Sequence, residues 1–156
     1  MPPAELLEVM DRRNVHALVN LTGGYGAGVR EAIGKYDRVN PGRFYTFMEP
    51  IWAALAAKDN PQRQAGEVVA AAKAGARGLK ILKTLGLYLR QDVTAGKLTA
   101  VDDPRFDPMW EACAAMRIPV AIHISDLLAF TSTMPPPRSR LRAAGGSMVS
   151  AFPTRS

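Results

Sequence analysis

Four short apolar runs, rich in β-branched and aromatic residues, alternate with segments of helical spacing, and this alternation restricts the chain to one class of fold. The runs are residues 15–21 (VHALVNL), 43–48 (RFYTFM), 78–83 (GLKILK) and 118–124 (IPVAIHI). Strands separated by helices form parallel sheets, because a parallel neighbour is reached only through a crossover. Pro2 and Pro3 open a helix that spaces Leu6, Leu7 and Met10 and ends near Arg13 and Asn14. Pro61 begins another, with Ala65, Val68, Val69 and Ala72 expected inward and Gly75 as its stop. A helix from Pro108 is expected to bury Trp110, Cys113 and Ala114. The predicted class is α/β, a partial (β/α) TIM-type barrel of about four parallel strands with helices. A closed eight-stranded barrel takes about 250 residues, and this chain has 156. Residues 1–130 are expected to form the barrel domain.

In such folds the chemistry sits at the carboxyl ends of the strands. The run Ile118, Pro119, Val120, Ala121, Ile122 predicts a strand covered on both faces, with His123 and Asp126 at its carboxyl end. Side chains alternate, so Ala121, His123 and Ser125 share a small, polar face. A histidine satisfied by a backbone carbonyl inside a core is the other reading. Lys80 lies inside a buried run, where an unpaired ammonium is expensive; its alternative reading is a side chain that snorkels from a strand end. Glu49 follows the run at 43–48, again at a carboxyl end. Residues 22–28 (TGGYGAG) join a strand to a helix with Val29, Ile33 and Tyr36 on one side. No Gly-Lys-Ser/Thr follows, so the loop is read as a close backbone approach to a ligand or as a tight turn. The connection at 84–105 is long, and Asp103 and Asp107, each before proline, read as helix caps.

Composition excludes several classes. Of the net charge of +6, four units come from Arg138, Arg140, Arg142 and Arg155 in residues 131–156, which hold no acid. A basic face for nucleic acid belongs on a folded element, so no nucleic-acid partner is expected. No apolar run reaches the length of a membrane span and the first residues lack the pattern of a secretory leader, so a cytoplasmic protein without a membrane partner is expected. The single cysteine, Cys113, permits no internal disulfide. Residues 131–156 have neither strand nor helix period and read as an irregular, disordered tail. Their composition is also what a shifted reading frame of GC-rich DNA yields.

The segments AELLEVMDRRNVHALVNLTGG, NPGRFYTF, GARGLKILKTLGL, AVDDPRFDPMWEACAAMRIPVAIHISD and LLAF resemble the amidohydrolase-related branch of the amidohydrolase superfamily across residues 4–130. The resemblance implies a metal-dependent (β/α)8 barrel that hydrolyses amides or esters of small molecules, or in some relatives removes a carboxylate. In that family the metal, most often zinc, is held by a His-x-His pair on the first strand, a histidine on the fifth and an aspartate on the eighth. The histidine of IPVAIHISD matches the fifth-strand position, so the resemblance implies His123 as a metal ligand. It puts Lys80 on the fourth strand, where some relatives carry a carboxylated lysine bridging two metals. Asp126 would orient the ligand or line the pocket, and Glu49 would neighbour it. The two histidines, His16 and His123, form no His-x-His pair. The expectation is therefore a truncated or frame-shifted portion of a hydrolase, inactive alone and binding a divalent cation weakly or not at all.

Two rival readings belong to other classes. A half-barrel with open strand edges would self-associate as a homo-oligomer without catalysis. Alternatively, Lys80 or Lys83 would form a Schiff base with a carbonyl substrate in a metal-free, aldolase-like enzyme.

Overall fold

Four strands follow one another in chain order across one sheet: β1 (Leu18–Asn20), β2 (Phe44–Met48), β3 (Gly78–Ile81) and β4 (Val120–Ile122). All three neighbouring pairs are parallel, with Leu18 opposite Phe44, Met48 opposite Leu79, and Lys80 opposite Ala121. The computed structural model describes residues 2–87, 89–90 and 96–123. These lie in a unit spanning Met1–Ser125; a second unit, Asp126–Ser156, lies outside the described residues, and with it Asp126 and the tail expected over 131–156. The architecture is the expected one, a partial (β/α) barrel of four parallel strands with helices. The helices are α1 (Pro3–Arg12), α2 (Gly26–Ala32), α3 (Asn60–Ala74), the short α4 (Thr84–Leu87) and α5 (Asp107–Ala115).

Alternation along the strands divides the sheet into two faces. Phe44, Thr46, Met48, Leu79 and Ile81 are buried on the outer face. There Met48, Leu79 and Ile81 join Val68 and Ala71 of α3, Met109, Ala112 and Cys113 of α5, and Val29 and Ile33 in one apolar core. Phe106 sits inside it, edge-on to both Trp52 and Trp110. Registered residues of parallel strands point to the same side, so Val19, Tyr45, Phe47, Gly78, Lys80 and Ala121 share the inner, concave face.

Three of the helices hand over to their strands through the same left-handed stop. Gly75 (φ 117°) ends α3, Asn14 (φ 55°) follows α1 and Arg117 (φ 53°) follows α5. In each, the next amide reaches back five residues: Val15 to the Met10 carbonyl, Ala76 to Ala71 and Ile118 to Cys113. This occupies carbonyls that a helix end otherwise leaves without partners.

Several expectations are corrected. The strand at 118–124 is not covered on both faces, for Val120 is 37% and Ile122 41% exposed; the covered strand is β3, all of whose residues are buried. Apolar content reports what a strand can bury, not how many neighbours it has. The inward stripe of α3 is Asn60, Gln64, Val68 and Ala71, with Ala72 only half-buried, and α5 buries Met109, Ala112 and Cys113 while Ala114 is exposed. The first strand spans only Leu18–Asn20, because residues 15–17 are still leaving the α1 stop. Asp103 caps as expected, accepting from the Arg105 amide, whereas Asp107 is the first residue of α5 and not its cap.

A helical turn widened to the π form, Ile33–Asp37, carries Asp37 to the sheet. The Thr46 carbonyl accepts from Arg77, and at this level β3 has not begun, since Gly75 still caps α3. The Thr46 amide therefore lacks a strand partner on that side. Asp37 supplies one, taking the amide at 2.7 Å and the Thr46 hydroxyl at 2.6 Å. Thr46 is fully buried. Asp37→Ala leaves a buried amide and hydroxyl unpaired and is expected to cost about 2 kcal/mol in urea unfolding.

Arg105 holds the Asp103 carboxyl below its usual range, chiefly through side-chain hydrogen bonding, opposed by partial burial and aided by the Arg105 amide and charge. Stability from this contact is complete above the unfolded value of about 3.9 and is lost as pH falls through the lower folded value. Asp103→Asn is expected to lower the urea midpoint at neutral pH. The gap to the parent protein should close as pH falls below the lowered folded value.

Candidate functional site at the carboxyl ends of the strands

The strand register gathers residues that are far apart in the chain. Met48 pairs with Leu79 and Lys80 with Ala121, so one further residue along β2 sets Glu49 opposite Lys80. The His123 amide donates to the Ile81 carbonyl at 2.9 Å, which extends the β3–β4 ladder and keeps His123 on the face of Ala121. Glu49, Lys80 and His123 thus come from three adjacent strands and lie on one face at the carboxyl end. Asp126 lies outside the described residues.

Below this polar row the inner face is apolar. Phe47 stands opposite Gly78 and its ring crosses that glycine: a β-carbon built there would lie 2.4 Å from the ring. Gly78 therefore makes room for an aromatic floor, with Tyr45 and Val19 in the row beneath. Chemistry is confined to the upper rows by this division.

The loop after β2 is held in place by α3. Gln64, fully buried, accepts from the Ile51 amide at 3.0 Å and donates to the Ile51 carbonyl at 2.8 Å. The backbone two residues after Glu49 is fixed by this two-point contact. Gln64 was legible only as a polar residue at helical spacing from Val68 and Ala71. The Glu49 amide in turn donates to the Gly24 carbonyl at 2.7 Å.

The glycine-rich loop packs against the sheet. The Gly23 amide donates to the Phe47 carbonyl, Gly28 to Tyr25, and Gly26 to the Glu67 carboxylate of α3. A β-carbon at Gly23 would lie 2.4 Å from the Phe47 carbonyl oxygen. The close approach read from the glycines is thus made to β2. His16 is exposed beside Asp11 and Arg43 at the amino end, and its carbonyl accepts from Arg43.

Lys80 retains 8% of its surface, and among the described residues no carboxylate forms an ion pair with it. Burial pushes the Cys113 thiol up to about 11, so at neutral pH it carries no nucleophilic thiolate. Among the described residues no three His, Cys, Asp or Glu side chains are gathered closely enough to hold a metal ion. Glu49 and His123 flank the middle strand, which carries Lys80 between them.

No helix among the described residues is long and apolar enough to cross a membrane. Among the described residues Lys80 has no ion-pair partner, and replacing it by an apolar side chain of similar shape, Lys80→Met, is expected to raise stability by about 1 kcal/mol in urea unfolding. Comparison with known proteins gives no match to a family model, a curated protein or a solved structure.

Proposed function

We propose that the chain is a portion of a metal-dependent hydrolase of the amidohydrolase-related type. In a complete barrel it would act on an amide or ester of a small molecule, with decarboxylation as the related chemistry, and the chain alone is inactive. The supporting observation is the convergence of Glu49, Lys80 and His123 on the inner face at the carboxyl ends, where (β/α) barrels carry their chemistry. His123 contributes an imidazole, Glu49 a proton-accepting carboxylate and Lys80 a donor to a developing negative charge. A zinc site needs three or four protein ligands, and this set falls short of that number.

Nitrogen-detected NMR of the two histidines during zinc titration tests the reading. The His123 imidazole is expected to respond weakly and without stoichiometric saturation, and His16, at the opposite end, to stay unchanged. Tight, stoichiometric zinc that disappears in His123→Ala would show the ligand set to be complete after all. No response at His123 at any zinc concentration would remove it as a ligand.

A second reading is favoured by the two outer strands. Val19 (50% exposed) and Leu21 belong to the β1 side, and Val120 and Ile122 to β4. Apolar side chains on parallel edges that are open among the described residues suit a half-barrel that associates with a second copy of itself.

A further inference from the structure

The open edges that favour self-association also set a strand register, and a proposal at that level rests on the second reading. Each described strand junction has a helix on its outer side except at the two ends. Among the described residues no helix covers the outer face of β4, where Val120 and Ile122 are exposed. At the other end α1 precedes β1, and between them lies an open groove of about 560 Å³ lined by Leu6, Leu18, Asn20, Tyr36 and Phe44. One end has an uncovered strand, and the other has a helix beside an unfilled groove.

We propose that two copies close into an eight-stranded barrel through two identical seams, β4 of each copy pairing in parallel with β1 of the other. Two-fold symmetry permits this, because the described strands of each copy offer one edge of each kind and the two seams use them all. The α1 helix of one copy then covers Val120 and Ile122 of its partner, and these side chains fill the groove beside Leu18.

The register is set by the sheet already present. The hydrogen-bonded row through Asn20 passes Thr46 and, extended by the pairings of β3 with its neighbours, reaches Ile118, two residues before β4 begins. The strands thus step steadily along the barrel axis. An eight-stranded barrel with a shear of about eight returns to its first strand displaced by that many residues, so half a circuit displaces the row by about four. Carried from Ile118, the row meets the second copy at His16. Val120 then pairs with Leu18, Ala121 with Val19 and Ile122 with Asn20. The displacement is even, so outer side chains meet outer side chains, which an odd displacement would forbid.

A stable interface buries about 1,600 Å² in all, so each seam must supply about half. Each seam joins a strand edge, the exposed Val120 and Ile122, and the groove beside α1. Closure brings both copies of Glu49, Lys80 and His123 to one mouth.

Cysteine cross-linking of the full chain tests this, with Cys113 buried and out of reach. The double variant Leu18→Cys/Val120→Cys is expected to form a covalent dimer on mild oxidation, and Asn20→Cys/Ile122→Cys provides a second in-register pair. The single variants should form none, because two-fold symmetry keeps like positions apart. Cross-linking of the singles, of the offset pair Leu18→Cys/Ile122→Cys as readily, or of neither in-register pair in a protein that sediments as a dimer would overturn the register while leaving self-association standing. A parent protein sedimenting at 16.9 kDa at every concentration would overturn both.

Discussion

A parallel ladder cannot be closed by a tight turn: after each strand the chain must travel back along the outside of the sheet before the next can begin. Every larger feature of this protein stems from that obligation. The returning segments are helices because a helix satisfies its own backbone while crossing an apolar face. They lie on one side because successive right-handed crossovers place them there. The apolar core therefore forms between the outer face of the sheet and the helices, around Met48, Leu79, Ile81 and Phe106. The inner face is left to whatever the strands themselves present.

What they present is divided by height. The lower rows carry Val19, Tyr45 and Phe47, and the row at the carboxyl end carries Glu49 and Lys80, with His123 just above. Buried amides hold this level in place. Gln64 fixes the backbone at Ile51, and Asp37 satisfies Thr46 where β3 has yet to start. Such contacts are directional, and they fix loop positions more sharply than apolar packing could.

Much of the architecture was legible in residues alone, and the reasons are local. Gly75 marked the stop of α3, Asp103 the cap of the turn leading into α5, and the runs at 43–48 and 78–83 their strands, because these signals act over a few positions. Glu49 and His123 could each be placed at a carboxyl end by the same means, and Lys80 inside a buried run. That they share a face could not be read, since it depends on a register set between strands more than thirty residues apart. The exposed flank of β4 was hidden for a related reason: an apolar run looks the same whether it has one neighbour or two. Gln64 and Asp37 escaped notice because polar residues in helical segments ordinarily face water. The proposed hydrolytic role rests on likeness of motif joined to this geometry, and fold alone does not carry function.

The repeated left-handed stop has a consequence for how such a chain tolerates change. After Asn14, Gly75 and Arg117 the strand begins within four residues, whereas the connections leaving β1, β2 and β3 differ greatly in length. One end of the sheet is thus a fixed datum and the other an open workbench. Insertions there lengthen a loop without moving the start of any strand, so new side chains can be tried over the inner face while the frame beneath stays in register.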